Sequence, residues 1–165
     1  MNDVAAVAGV TKPVVYQRFD SKRALYREVL EDIGERLQAA LFEAAAKATT
    51  PREQVEAGIA GYIDFVQEDP DGFRLLFSGA SRDDAEWGEI SHQVERSIAE
   101  GIADLLAVDG MSLEHKRALA YGFVGMSEGM VRHWQAEGSE TLKPADLLRD
   151  LTTLSWVGLR GLGPT

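Results

Sequence analysis

Apolar side chains recur every three or four residues along most of this chain, and that spacing limits it to helices. The clearest stripe is at steps of four and consists of Leu25, Val29, Ile33, Leu37 and Leu41. Residues spaced in this way lie on one face of an α-helix. A sustained alternation of apolar and polar residues, which would indicate a half-buried strand, is absent from the sequence. We therefore predict an all-α fold.

Capping residues and helix breakers divide this pattern into segments. Asp20-Ser21 supplies N-cap side chains for one long helix and Thr50 caps a second, which has Pro51 in its first turn. The remaining stripes predict a short helix at 73–77, a helix at 87–105, a helix capped by Ser112 that runs to about residue 137, and a last helix with Pro144 in its first turn.

Composition excludes several classes of protein. The chain of 165 residues is 45% hydrophobic and 27% charged, which suits a globular protein with a buried core and excludes a disordered chain. Cysteine is absent, so disulfides, thiolate metal sites and cysteine nucleophiles are excluded. The apolar runs are far shorter than the roughly 18 residues of a membrane span, and the N-terminal residues lack the positive charge of a signal peptide. We expect a cytoplasmic protein with no membrane partner.

The charge of the chain is unevenly distributed. The net charge is −10, from 17 basic and 27 acidic residues. Residues 1–27 contain five basic and two acidic residues, a net charge of +3, so the rest of the chain carries −13. Local charge attracts phosphates whatever the average over the chain, and a basic head on an acidic body therefore indicates two separate tasks. The alternative is that the five basic side chains form only a solvated surface.

The basic head has the pattern of two short helices joined by a tight turn. Gly9 ends the first helix, because glycine tolerates the left-handed conformation that follows helices, and Thr11 caps the second, with Pro13 in its first turn. Val15 and Phe19 form the apolar side of this second helix. Its long polar side chains are Lys12, Gln17 and Arg18. Such a helix-turn-helix can place its second helix in the major groove of DNA, although on its own the hairpin is more often structural.

A nearly continuous motif extends from the first helix of the head into the long helix. It reads Asp3-Val4-Ala5-x-x-Ala8-Gly9-Val10-Thr11-x-x-x-Val15-Tyr16-x-x-Phe19-x-Ser21-Lys22-x-x-Leu25. This motif resembles the DNA-binding head of the TetR family of transcriptional regulators. The resemblance implies a helix-turn-helix domain at 1–27 and a helical ligand-binding and dimerisation domain at 28–165. It also implies a further helix before the motif, which we expect upstream of Met1; without it the head would be loosely packed.

The resemblance further implies what each residue of the head does. The positions that hold DNA phosphates are matched by Thr11, Tyr16 and Lys22. The positions that meet base edges are matched by Lys12, Pro13, Val14, Gln17 and Arg18. The chemistry agrees, because arginine binds guanine, glutamine binds adenine, and small apolar side chains contact the thymine methyl group. Tyr16 has a second interpretation as a packing residue.

The body is expected to form a homodimer and to bind an inducer, again because members of the family do so. Glycine inside a helix costs about 1 kcal/mol relative to alanine, so three glycines on one helix face indicate that another helix approaches closely. We expect the dimer interface to contain Gly122, Gly125, Gly129, Met130, Leu147, Leu151, Leu154, Ser155, Gly158 and Leu162. An ordinary contact within one chain is the alternative.

Aromatic and polar residues on the central helices are the candidates for a ligand pocket, because small-molecule sites are mostly apolar with a few polar anchors. They are Phe65, Phe73, Phe77, Trp87, His92, Tyr121, Met126, His133 and Trp134. Most of them can equally be ordinary core residues. The aromatic content favours a hydrophobic or ring-bearing inducer, and no residue pattern identifies it.

The resemblance as a whole implies a repressor that leaves a pseudo-palindromic DNA operator when the inducer binds, with no catalytic activity and no cofactor. Two other functions are compatible with parts of the sequence. Glu89 and His92 form a Glu-x-x-His pair like those of di-iron bundles, but such sites need a second copy and further glutamates, so we predict no metal site. A helical adaptor that binds a protein and no DNA is the other alternative; salt-dependent binding to duplex DNA would exclude it.

Overall fold

The computed structural model of the chain describes residues 1–77, 85–106, 110–138 and 140–160. These residues form α-helices and contain no strand, so the prediction of an all-α fold is confirmed. The helices are α1 (Asn2–Val7), α2 (Lys12–Arg18), α3 (Lys22–Ala46), α4 (Pro51–Glu68), α5 (Pro70–Phe77), α6 (Ala85–Leu105), α7 (Leu113–His133) and α8 (Pro144–Arg160). Among them, none is long and apolar enough to cross a membrane.

The long helices begin at the predicted caps. The hydroxyl of Ser21 accepts a hydrogen bond of 3.0 Å from a backbone N–H of the first turn of α3, and Ser112 does the same for α7 at 3.3 Å. Thr50 and Glu53 form a capping box at the start of α4, in which each side chain bonds the other residue's backbone N–H. Two donors that the helix leaves unpaired are satisfied in this way. The predicted helix from Ser112 differs at its end, because α7 passes into a π-helical turn at Trp134–Gly138.

The turn of the head also has the predicted geometry. Gly9 has a φ of +67°, the left-handed conformation that glycine adopts without strain. Ala5 of α1 and Val15 of α2 are buried against the rest of the head. Outward-facing positions of α1 are apolar too, since Val4 and Val7 are exposed.

The main core of the body lies between α3, α4, α5, α6, α7 and α8. Its most completely buried large side chains are Leu30, Leu37, Val66, Phe73, Leu76, Val131, Leu147 and Leu151. Leu147 and Leu151 belong to the set that we expected at a dimer interface. They pack within the chain instead, because the apolar stripe of α8 covers the body beside α4. Ser155 is buried on the same side of α8, where its hydroxyl donates to the carbonyl of Leu151.

Helix α3 is the longest element and extends from the head into the body. The boundary between residues 27 and 28, which we expected to separate two domains, falls inside this continuous helix. Its second half packs closely against its neighbours at glycines. A Cβ on Gly61 of α4 would overlap the backbone of Ala40, and one on Gly101 of α6 would overlap the ring of Phe42. These glycines therefore set how near α4 and α6 lie to α3.

Candidate functional site

The second helix of the head forms an exposed polar surface. Within residues 11–18 only Val15 is buried, and the hydroxyl of the N-cap residue Thr11 accepts no hydrogen bond from α2. The residues predicted to contact DNA are all exposed: Thr11, Lys12, Pro13, Val14, Tyr16, Gln17, Arg18 and Lys22. Seven of them lie on α2 and its cap, and Lys22 begins α3. The structure thus gives the head a solvent-facing helix of the kind that can enter a groove.

Three side chains of this surface, Lys12, Tyr16 and Arg18, have partners within the chain. The ammonium group of Lys12 lies 5.8 Å from the centre of the Tyr16 ring, within the range of a cation–π contact. Tyr16 is nearly half exposed, which favours a role at the surface over one in packing. Arg18 forms an ion pair with Glu28 of α3, with 2.7 Å between Nη2 and Oε1. Arg18 can reach a base edge only after this pair opens.

A cavity of about 330 Å³ lies in the body between α3, α4, α6 and α7. Its walls are mainly aliphatic and aromatic, as is usual for small-molecule sites. The apolar lining includes Leu37, Leu41 and Phe42 from α3, Val55 and Ile59 from α4, Ile98 and Ile102 from α6, Phe123 and Val124 from α7, and Trp156 from α8. An apolar molecule could therefore replace water from most of this surface with a gain in free energy.

Three polar side chains that line the cavity are themselves buried: Tyr62 at 7% exposure, and Ser127 and Glu128 at 6% each. The hydroxyl of Ser127 has no hydrogen-bond partner among the described residues. Oε1 of Glu128 accepts a hydrogen bond of 3.1 Å from Nη1 of Arg132, whose side chain is largely exposed. Burial raises the pKa of Tyr62 well above its usual value, the negative charge of Glu128 adds to this effect, and Arg132 opposes it.

Of the nine residues predicted to form a ligand pocket, Phe77 lines this cavity and the other eight lie elsewhere. Phe65 and Phe73 are core residues, and Met126 packs against the core. Trp87 stacks edge-on against Tyr26, with 4.6 Å between ring centres. The others are Trp134, which is buried and donates to the carbonyl of Leu142 at 2.7 Å, and the exposed Tyr121, His92 and His133.

Ser127 and Glu128 were not predicted from the sequence. The available signal was their position in α7, three and four residues after the apolar Val124. A polar residue at that spacing continues an apolar stripe and is turned toward the same neighbours. His92 instead faces Glu95 at 3.5 Å on the exposed side of α6. Among the described residues, no group of His, Cys, Asp or Glu could hold a metal ion.

Unpacked glycines and exposed apolar side chains lie on one side of α7 and α8, and we call this surface the glycine surface. It comprises Tyr121, Gly122, Gly125, Gly129, Leu154, Val157 and Gly158. A Cβ added to any of its four glycines would meet no described atom within 4 Å. Leu154 and Val157 beside them are 53% and 64% exposed. Met130 is half-buried against the core, and Leu162 lies outside the described residues.

Arg36 connects α3 to the junction of α4 and α5. Its guanidinium bonds Asp32 at 2.9 Å and Asp69 at 2.8 Å, and Asp69 also accepts a hydrogen bond from the backbone N–H of Gly72 at 2.8 Å. Burial alone would raise the pKa of Asp69, but the hydrogen bonds from Arg36 and Gly72 outweigh it, and the pKa lies below its ordinary value. The pair therefore fixes the middle of α3 to the body.

An exposed helix-turn-helix attached by a long helix to a helical body with an internal cavity is the architecture of a class of transcription factors. The chain belongs to the TetR family within that class. Residues 1–29 match the family described as bacterial regulatory proteins, tetR family. Residues 51–158 match the family described as tetracyclin repressor-like, C-terminal domain.

Individual relatives agree with this assignment. The chain is 31% identical over 138 residues to the HTH-type transcriptional activator FasR of Mycolicibacterium smegmatis. The aligned region covers 81% of the chain and 62% of FasR. The chain thus spans less than two thirds of this relative's length. The fold is similar to a TetR-like transcriptional regulator from Rhodococcus sp. RHA1, with a TM-score of 0.72 at 24% identity over 96% of this chain and 82% of the other. It is also similar to a TetR-family transcriptional regulator from Streptomyces coelicolor, with a TM-score of 0.79 at 20% identity over 98% and 70%.

Proposed function

We propose that the chain acts as a homodimeric regulator that binds duplex DNA through α2 and a small apolar molecule through the cavity. The observation that carries this proposal is the exposed face of α2, on which every residue from 11 to 18 except Val15 is accessible. The membership of the chain in the TetR family supports the same function. Such a protein works in the cytoplasm, where bacterial DNA lies, and it needs no catalytic activity.

In this proposal α2 enters the major groove. Thr11, Tyr16 and Lys22 hold phosphates and fix the position of the helix. Base edges are then met by Lys12, Pro13, Val14, Gln17 and Arg18, with arginine suited to guanine and glutamine to adenine. The net charge of +3 in residues 1–27 supports an approach to phosphates despite the acidic body.

A second copy of the chain is proposed to cover the glycine surface. Bare glycines on two adjacent helices allow the backbones of two subunits to come close, and burial of Leu154 and Val157 would stabilise the contact. A two-fold dimer places two α2 helices in successive major grooves, and its operator is therefore a pseudo-palindrome.

The ligand is proposed to act through α3, which lines the cavity with Leu37 and Leu41 and carries the head at its other end. A molecule that binds one arrangement of α3 better than another shifts the balance between states of high and low DNA affinity. We propose that binding releases the operator, as in a repressor. FasR is named an activator, and activation of transcription by the DNA-bound protein is the alternative to repression.

The test is a fluorescence anisotropy titration of duplex DNA taken from upstream of the protein's own gene, with the product of the full-length gene and a series of salt concentrations. We expect sequence-preferring binding that weakens as salt rises, because neutralised phosphates release counterions. Loss of a phosphate contact in Tyr16→Phe should weaken binding to all sequences alike, whereas Gln17→Ala should relax the preference at one base position. An affinity that neither substitution changes and that does not depend on the salt concentration would refute the proposal.

Arg18 and Glu28 provide a matched pair of variants for the same assay. Arg18→Ala should weaken specific binding by about 1–3 kcal/mol if Arg18 reads a base. Glu28→Gln removes the ion-pair partner of Arg18 and should strengthen binding, because Arg18 no longer has to leave a carboxylate. Weaker binding in Glu28→Gln would mean instead that the ion pair positions α2, and that Arg18 does not contact bases.

A further inference from the structure

The polar residues of the cavity restrict the chemistry of the molecule that it can hold, provided that the cavity is the ligand site proposed above. Tyr62 of α4 and Ser127 and Glu128 of α7 are each more than nine-tenths buried and line the same space. The rest of the lining is predominantly apolar. A bound molecule must therefore present an apolar body to most of the wall and a polar group to these three side chains.

Ser127 is the first sign that this polar group belongs to a ligand. Its hydroxyl is buried without a hydrogen-bond partner among the described residues. A serine inside a helix can donate to the carbonyl four residues earlier, and Ser155 does so in α8. Ser127 makes no such bond in α7, so a partner within the cavity would satisfy a group whose isolation is otherwise costly.

Glu128 determines the sign of the charge that the cavity accepts. It forms an ion pair with Arg132, and the guanidinium lies on the solvent side while the carboxylate lines the cavity. A ligand inside the cavity therefore meets the negative member of the pair first. Charges act strongly on one another in such a poorly solvated space, so an anionic head group would be repelled and a hydrogen-bond donor would be held.

We infer that the cavity selects apolar molecules that end in a hydrogen-bond-donating group, an alcohol or a protonated amine, and discriminates against carboxylates. An alcohol donates to Glu128 and accepts from Ser127 or Tyr62. A protonated amine donates to Glu128 and Ser127 and adds the attraction of opposite charges. Both groups donate a hydrogen bond to Glu128, and only the amine depends on the charge of Glu128 for a large part of its affinity.

The experiment measures binding of three ten-carbon probes, 1-decanol, decylamine and decanoate, to the full-length protein by titration calorimetry at neutral pH. All are used below the concentrations at which they aggregate. We expect decanol and decylamine to bind at least about tenfold more tightly than decanoate, since even one unfavourable charge contact in such a site amounts to that ratio. Equal or tighter binding of decanoate would overturn the inference.

Variants of the polar residues identify the cause of the selectivity. Glu128→Gln should reduce the discrimination against decanoate to within about threefold, whereas the matched Ser127→Ala should weaken decanol but keep the discrimination. Arg132→Gln removes the guanidinium of the observed ion pair and should increase the preference for decylamine; it serves as a second test should Glu128→Gln fail to fold. Selectivity that none of the charge variants changes would refute a role for Glu128.

A blocking variant separates this inference from the proposed function. Gly58 lines the cavity, and a Cβ there would make ordinary contacts of 3.8 and 3.9 Å. Gly58→Leu adds a large side chain to this wall of the cavity and should abolish binding of the two donor probes. Binding of no probe, or binding that Gly58→Leu leaves unchanged, would overturn the cavity as the ligand site and this inference with it. Equal binding of all three, abolished by Gly58→Leu, would overturn the selectivity alone.

Discussion

Two glycines in α4 should respond in opposite ways to the same substitution. A Cβ on Gly61 would overlap the carbonyl oxygen of Ala40 and lie 2.9 Å from its carbonyl carbon and 3.2 Å from Cβ of Ala44. These backbone atoms of α3 cannot rotate away, so the two helices would have to separate. Gly58 lies one turn earlier, and the nearest atoms to its added Cβ are at 3.8 and 3.9 Å, which is ordinary van der Waals contact.

The size of the effect follows from two terms. Alanine is favoured over glycine inside a helix by about 1 kcal/mol, and this gain applies equally at both positions. Overpacking costs about 1–3 kcal/mol and applies only to Gly61→Ala. Gly58→Ala should therefore raise the free energy of unfolding by about 0.5–1 kcal/mol, and Gly61→Ala should fall below Gly58→Ala by the overpacking term of about 1–3 kcal/mol.

Urea unfolding followed by far-ultraviolet circular dichroism measures both effects at one fixed protein concentration, which matters for a chain that is proposed to dimerise. Gly58→Ala is the matched control, because it makes the same chemical change on the same helix. We expect Gly58→Ala to be more stable than wild type. Gly61→Ala should be less stable than wild type or close to it, and never more stable than wild type. If Gly61→Ala is as stable as Gly58→Ala, the close contact between α3 and α4 is wrong.

Three further outcomes are expected. The pKa of Asp69 is lower in the folded chain than in the unfolded one, so its contribution to stability is present above about pH 4 and is lost on further acidification. The difference in unfolding free energy between wild type and Asp69→Asn should therefore shrink below that pH. A difference that stays constant with pH would contradict the ion pair. Thr50→Ala removes a capping box and should lower the free energy of unfolding by about 1 kcal/mol in the same urea assay, unlike the exposed Thr153→Ala. Gly125→Leu places a large side chain on the glycine surface without meeting its own chain; sedimentation should show a monomer that is as helical as wild type, and an unchanged dimer would locate the interface elsewhere.

Local features were predictable from the sequence because they depend on neighbouring residues alone. Ser21, Thr50 and Ser112 cap their helices where the sequence indicates, since a cap bonds a backbone N–H in the next turn. The turn at Gly9 follows the same reasoning, because its left-handed φ is needed locally. The exposed side of α2 could be predicted in the same way, whereas Thr11, which we expected to cap α2, makes no side-chain hydrogen bond to it.

The cavity could not be predicted in this way, because it depends on how distant helices face one another. Periodicity identifies the apolar stripe of α8 but not what covers it, and Leu147 and Leu151 turn out to cover their own body. Trp134 is fixed by a hydrogen bond to Leu142 across the π-helical turn, a contact that no helical spacing indicates. Ser127 looks like any helical serine in the sequence, and only the packing around α7 leaves its hydroxyl buried beside the cavity without a partner among the described residues.

Helix α3 lines the cavity with Leu37, Leu41 and Phe42 and also carries the head. Selection on those positions therefore cannot change the fit of a ligand without also changing the affinity for the operator. In the proposed mechanism, a substitution that fits a new ligand at Leu41 also changes how α3 rests on α4 and α6, and so alters operator affinity before any ligand is added. Residues of α7 such as Phe123 and Val124 line the same space without belonging to the helix that holds the head. In descendants of this protein, changes of ligand preference should therefore accumulate on α7, while the cavity wall of α3 stays constrained.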